Sequence, residues 1–301
     1  MSGAVFFVIL VQWIAPILLV TTAILVVRRR RLQPDPVTHP RLAHLDRSSL
    51  TARWGGLFAG TIVAMIVSPT GRFGLGLILA PSAGALVSLV VLALNEAFVW
   101  RSARTPGVAA LEDRSQSHYV PTALSRTLAV LGLALTALLL WCWRHQDPNP
   151  DELGTVGRSF GWESPVEPTP GLPPVTSIHS AGPFPGTWYS GPLAALLALC
   201  MVALAIGLAL AISRPRNGSD PAVVAIDDQT RRLTIEAMVA SALIAVGAPL
   251  ASCSALTALA IDDNLPRLAL VLGAVALFSI AACAWALAVL IAPGLRTKTV
   301  S

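Results

Sequence analysis

A chain of 301 residues that is 54% hydrophobic and only 12% charged, with a mean hydropathy of +0.69, lies far from the roughly half-apolar, quarter-charged mixture of a soluble domain. Water is thereby excluded as its main solvent. The net charge of +5 comes from arginines that flank apolar stretches, so it follows a bilayer topology and does not point to nucleic acid.

Seven stretches are apolar and uncharged through their middles: residues 4–27, 54–69, 73–94, 127–143, 193–213, 237–261 and 268–292. A bilayer core about 30 Å thick takes about 20 apolar helical residues per crossing. In lipid each unpaired backbone group costs several kcal/mol, so these stretches must pair their backbones internally. A β-barrel would show alternating ten-residue segments, whereas here Leu, Ala and Val fall on every face. The expected fold is therefore all-α: a single polytopic transmembrane helix bundle of about seven helices.

The first stretch, 4–27, lacks a basic region before it and runs into Arg28-Arg29-Arg30-Arg31. A cleaved signal peptide carries its charge in front of a shorter core, so this one reads as a retained helix with its N-terminus outside. The four arginines read as a lipid-facing basic anchor. Residues 39–47 suggest a short surface helix. The second stretch is the shortest and is joined to the third by Thr70-Gly71-Arg72 alone, so the two are either full crossings or a re-entrant pair of half-helices.

Between the fourth and fifth stretches, residues 144–190 form a Pro- and Gly-rich extracytoplasmic loop. Its composition cannot support a core of its own, and an extended, weakly ordered segment is expected, pinned by Phe160, Trp162, Phe184, Trp188 and Tyr189. Asp227-Asp228-Gln229-Thr230-Arg231-Arg232 reads as the opening of the sixth helix, with acids in its first turn where the macrodipole favours them.

The arginines fix an orientation. If the linker holding Arg28 to Arg31 is cytoplasmic, that side carries 17 basic and 9 acidic residues, against 4 basic and 7 acidic on the other. This is the asymmetry of the positive-inside rule, and it puts the C-terminus in the cytoplasm. Trp54, Trp100, Trp141, Trp143 and Trp188 all fall at expected helix ends, at headgroup level.

The chemistry-bearing residues form no reactive constellation. Glu96 and Glu236 sit at inner helix ends and read as solvated. The five histidines are scattered, and His145 with Asp147, Asp151 and Glu152 is the one outer cluster with mixed ligands. Cys142, Cys200, Cys253 and Cys283 form no Cys-x-x-Cys pair and read as buried thiols, with a Cys142–Cys253 disulfide as the alternative. His-Glu-x-x-His and Gly-x-Ser-x-Gly are missing, and Gly74-Leu75-Gly76 lacks the third glycine of a dinucleotide fingerprint. No metal, cofactor or catalytic residue is assigned, and the chain is not expected to be an enzyme.

What the stretches do carry is small-residue packing, as in Gly56-Leu57-Phe58-Ala59-Gly60, and prolines at 16, 81 and 249 that would kink helices. Ser252, Ser254 and Thr257, beside Pro249, make the sixth stretch the most polar and mark the best position for an internal polar site.

The elements Ser117-His118-Tyr119-Val120-Pro121 and Asp227-Asp228-Gln229-Thr230-Arg231-Arg232, in a chain with twenty arginines and one lysine, resemble those of uncharacterised polytopic membrane proteins of high-GC Gram-positive bacteria. That resemblance implies a bacterial multi-pass membrane protein and brings no activity with it. The functional expectation is a plasma-membrane scaffold or accessory subunit contacting anionic inner-leaflet lipids and other membrane proteins. The alternatives are a permease or flippase-like transporter of a small apolar or amphipathic solute, and a sensor reading the exterior through the 144–190 loop.

Overall fold

The computed structural model describes residues 31–34, 40–102, 119–149, 154–165, 176–214, 221–291 and 297–300. In chain order these form β1 (Arg31–Pro34), α1 (Pro40–Val67), a 3-10 turn (Arg72–Gly74), α2 (Leu75–Ser102), α3 (Thr122–His145), β2 (Phe160–Pro165), β3 (Thr176–Ala181), α4 (Thr187–Ser213), α5 (Pro221–Ile261), α6 (Pro266–Ile291) and β4 (Thr297–Val300). All six helices are long and apolar enough to cross a membrane, and the protein is a multi-pass membrane protein built as a helix bundle. The stretch 4–27, with Pro16, lies outside the described residues.

Three helices open on a proline, Pro40, Pro221 and Pro266. At the first helical position the ring's fixed φ suits the helix, and its missing N–H has no partner to lose. The surface helix expected over 39–47 and the second crossing are one continuous helix, α1, of 28 residues. At 1.5 Å per residue α1 and α2 each run about 42 Å, so each is long enough for a full crossing. They are joined by a tight turn in which Gly71 and Gly74 adopt φ of 80° and 76°, a backbone that glycine takes without a Cβ clash.

The two helices then cross at near-contact distance. A Cβ built on Gly60 would stand 2.4 Å from the Gly84 carbonyl oxygen, and one on Gly84 would stand 2.6 Å from that of Gly60. Ser88 Oγ, one turn on, donates to Gly56 O at 2.8 Å. Gly56-xxx-Gly60 is thus the α1 half of a small-residue crossing whose other half is Gly84 and Ser88.

α5 is the central helix, with Ile235, Ala237, Met238, Leu243 and Leu250 fully buried. It packs against each of the other five helices. Its 41 residues span about 60 Å, roughly twice the bilayer core. The outer helices instead show large apolar side chains to the surroundings, Phe58 at 70%, Leu133 at 73% and Leu270 at 75% exposure, as lipid-facing positions do.

Pro249 removes the N–H that Ala245 O would accept one turn earlier in α5. Ser82 of α2, itself fully buried, donates its Oγ to that carbonyl at 2.7 Å. A hydroxyl from a neighbouring helix therefore satisfies the group the proline orphans. Ser82→Ala should lower stability by about 1–2 kcal/mol, since it leaves a buried carbonyl unpaired. Thermal unfolding in detergent reads this out, with Ser48→Ala, whose hydroxyl caps only its own turn at Leu45 O, as the small-effect comparison.

The ends of the bundle differ. One carries the C-terminal ends of α2 and α4, the start of α5, and a two-stranded parallel ladder in which Arg31–Pro34 pairs with Thr297–Val300; it is called the basic end below. The other carries the antiparallel hairpin β2–β3, in register from Phe160↔Ala181 to Pro165↔Thr176.

Candidate functional site

The described parts of the Pro-rich connection, residues 146–149, 154–165 and 176–186, carry a hairpin and an aromatic cluster. Phe160 and Trp162 share a face of β2 because side chains alternate along a strand, and their rings stack at 5.8 Å. Trp162 pairs across the hairpin with His179, ring centroids 5.5 Å apart. Phe160 meets Phe184 at 5.5 Å and Trp141, in the last turn of α3, at 6.4 Å. Phe160, Phe184 and Tyr189 are buried, and Trp188 packs against the core as an anchor. Beneath the hairpin, Gln146 Oε1 accepts from Thr187 N at 2.8 Å and Thr187 Oγ1 at 3.0 Å, tying the end of α3 to the start of α4.

The expected outer ligand cluster is differently engaged. His145 Nδ1 bonds Trp141 O at 2.9 Å and its ring stacks on Trp141, while Asp147 accepts from Asn149 N; Asp151 and Glu152 lie outside the described residues. Among the described residues no group of three or more His, Cys, Asp or Glu could hold a metal ion. All four cysteines are free, so the Cys142–Cys253 disulfide is not formed. The Cys142 thiol instead shares a 3.4 Å hydrogen bond with Thr257 Oγ1.

The polar positions of α5 divide among its neighbours. Thr257 Oγ1 donates to Cys253 O at 2.8 Å and meets α3 through Cys142. Ser252 is half-buried and donates to Ala248 O at 3.1 Å. Ser254 is fully buried, and its Oγ has no hydrogen-bond partner among the described residues. At 100° per residue Ser252 and Ser254 stand about 200° apart around the helix, so they face different neighbours. Of the arginine anchor, Arg31 opens β1, and Arg28, Arg29 and Arg30 lie outside the described residues.

The most connected polar structure is at the basic end. Arg214, at the C-cap of α4, reaches Glu96 Oε2 of α2 at 3.2 Å through Nη1 and Asp227 Oδ1 of α5 at 3.0 Å through Nη2. Arg231, one turn after Asp227, binds its other oxygen Oδ2 at 3.1 Å and donates to Ile212 O of α4 at 3.1 Å. The side chains of these four residues are at most 1% exposed. The Arg231 guanidinium also stands 5.5 Å from the Tyr119 ring centroid, and Tyr119 Oη donates to Asp228 Oδ1 at 3.0 Å. Nearby, Ser49 and Thr234 hydrogen-bond at 3.0 Å, and buried Arg53 donates to Leu233 O, joining α1 to α5.

Glu96 is therefore not a solvated helix end. It is a buried carboxylate balanced by a guanidinium from a residue 118 positions away. Two cations and two anions cancel, which makes their burial tolerable. The acids of 227–232 are also placed otherwise than expected: α5 begins at Pro221 and has no acid in its first turn. The i, i+4 spacing of Asp227 and Arg231 was the visible signal for an intrahelical pair. Nothing local announced Arg214 or Glu96. Chemically this network is a lock, since each carboxylate is already held by a guanidinium.

The second feature is a cleft of about 970 Å³ between α3 and α4, open to the side of the bundle and floored by Val246 of α5. Its walls mix small residues, Gly132 and Thr136 on α3 and Gly191 and Ala194 on α4, with large apolar ones such as Leu133, Leu140, Trp143 and Met201. A Cβ built on Gly132 or Gly191 would meet nothing within 4 Å. Small-residue faces usually let two membrane helices touch. Here the small residues of α3 and α4 lie on either side of a gap, among larger apolar side chains. No protein-family model, no curated protein and no solved structure matches this chain.

Proposed function

We propose that the protein is a non-catalytic scaffold or accessory subunit of the plasma membrane, receiving a transmembrane helix of a partner membrane protein in the cleft between α3 and α4. The observation that carries this reading is an apolar cleft of about 970 Å³ that holds α3 and α4 apart, with Gly132, Gly191 and Ala194 among its lining residues. The Gly and Ala positions admit the backbone of a third helix at close range, and the Leu and Trp side chains beside them offer it apolar surface. The basic end faces the cytoplasm and the hairpin the exterior, a reading supported by 17 basic residues on one side against 4 on the other. Anionic inner-leaflet lipids are contacted by Arg28 to Arg31. They are also contacted at a smaller cleft of about 500 Å³ between α1 and α2, lined by His44, Arg47 and Asn95.

Gly132→Trp fills the larger cleft without touching the core, as its Cβ position is open. Purified in mild detergent, the wild-type chain is expected to co-elute with a stoichiometric membrane partner. Gly132→Trp should release that partner, while Leu270→Trp on the exposed face of α6 should retain it. A wild-type chain that elutes alone sinks the reading.

The lateral opening of the cleft also favours a second reading, a site for a lipid-like solute, as a permease or flippase would need. Native mass spectrometry separates the two. A bound lipid lost in Gly132→Trp, with no protein partner in either sample, selects the second.

A further inference from the structure

α1 and α2 touch at their small residues and then part. A Cβ on Gly56 would stand 3.6 Å from Val91 Cβ, so the helices are still in contact at that level. Towards the basic end the cleft of about 500 Å³ opens between them. α1 lines it with His44, Arg47, Ser48 and Thr51, whose i, i+3, i+4, i+7 spacing puts them on one face. α2 lines it with Val91, Asn95 and Phe98, again one face. The helices form a hairpin, so His44 and Phe98 stand at the mouth and Val91 lies deepest.

The chemistry of this lining is one-sided. Among the described residues no carboxylate lines the cleft: Asp46 is buried and outside it, and Glu96 is held by Arg214. His44, Arg47 and Thr51 have no hydrogen bond or ion pair among the described residues. Asn95 adds what a merely solvated basic surface would not show. Its Nδ2 is shielded from water and has no acceptor among the described residues, although a buried amide donor ordinarily has one. The last torsion of asparagine is broad and two-fold, so the amide can turn its donor into the cleft when an acceptor arrives. The cleft thus offers donors and one fixed cation, and lacks an anionic oxygen.

We propose that the cleft binds the phosphate of a single anionic glycerophospholipid. The guanidinium of Arg47 balances the one negative charge of a phosphodiester, and Asn95, Thr51 and His44 donate to its oxygens. An acyl chain then passes Val91 and leaves over Phe98, which is 68% exposed and stands where lipid begins. This deepens the lipid contact given above, and rests on that reading only in drawing the lipid from the cytoplasmic leaflet.

Native mass spectrometry of the full-length protein tests this in a Gly132→Trp background, so that a lipid in the larger cleft does not count. The probes are phosphatidylglycerol and phosphatidylcholine of the same acyl chains, the second carrying the same phosphate with its own compensating cation. One phosphatidylglycerol should be retained and phosphatidylcholine lost. Arg47→Gln and Asn95→Leu should each weaken retention about tenfold, as loss of a hydrogen bond to a charged group does. Arg101→Gln removes the same charge from an exposed residue in the last turn of α2, outside the cleft, and should change nothing. Asn95→Leu decides most, since it leaves the charge untouched and general attraction to anionic lipid intact. Each variant is first shown to elute as wild type, with Asn95→Ala replacing Asn95→Leu if that one does not. The proposal is overturned if no lipid is retained, if phosphatidylcholine is held equally, or if the Asn95 variant binds as wild type. It is equally overturned if Arg101→Gln weakens retention as much as Arg47→Gln, or if millimolar inorganic phosphate displaces the lipid. Detergent micelles have no sides, so an inverted topology or a missing protein partner leaves this outcome unchanged and is told apart from it.

Discussion

Asp227→Asn is expected to be among the most damaging single substitutions, lowering stability by about 3–5 kcal/mol, because it leaves two buried guanidiniums with a single carboxylate between them. Both Asp227 oxygens are in use, one on Arg214 at 3.0 Å and one on Arg231 at 3.1 Å. The amide keeps the shape and removes the charge. Arg214 then retains Glu96 alone, and Arg231 is left with the Ile212 carbonyl and the Tyr119 ring. Neither cation can turn towards water, since both side chains are essentially unexposed. Thermal unfolding in detergent should show the loss as a large drop in Tm. Asp228→Asn, which perturbs the Tyr119 hydroxyl contact, should shift it far less. A cycle combining Glu96→Gln with Arg214→Gln should give a double variant milder than the sum of the singles, since each single leaves an unmatched charge and the pair removes both. An unchanged Tm in Asp227→Asn would show that the network contributes nothing to holding α2, α4 and α5 together.

Gly84→Leu should be comparably severe for a different reason. Its Cβ would stand 2.6 Å from the Gly60 carbonyl, and the obstructing atom is backbone, which no rotamer change can move aside. The helices must separate, and with them goes the 2.8 Å bond from Ser88 to Gly56 O. Overpacking costs typically about 1–3 kcal/mol. Here the effect is larger because α1 makes most of its contacts with α2. Gly55→Leu, one position from the crossing but with open space at its Cβ, is expected to be near neutral. Limited proteolysis at the Thr70–Arg72 turn reads the separation directly: Gly84→Leu should be cut faster than wild type, and Gly55→Leu at the wild-type rate.

The helices were legible in the sequence because each crossing is an uninterrupted apolar run, and its ends carry the marks lipid selects. Trp100, Trp141, Trp143 and Trp188 do sit in terminal turns. Trp54 does not, because α1 continues back through polar residues to Pro40. Hydropathy sees only the part of a helix that lipid touches, and it stops where the bundle itself supports polar turns. The same blindness hid the site. Glu96 and Arg214 look solvated when read singly, and only the meeting of three helix ends turns them into a buried pair. Gly60 was legible as one half of a crossing, while its partner Gly84 was buried in a run of small residues that looked alike. The hairpin was obscured by proline. Its signal was the alternation of Phe160 and Trp162, a two-residue period too short to stand out against a segment so rich in chain breakers.

Gln146 grips the first residues of α4 at the hairpin end, so the two walls of the cleft are pinned there like the jaws of a peg at its spring. Any widening of the cleft is therefore expected at the other end of α3, where Leu124 is buried in the core and Tyr119 meets Arg231 and Asp228.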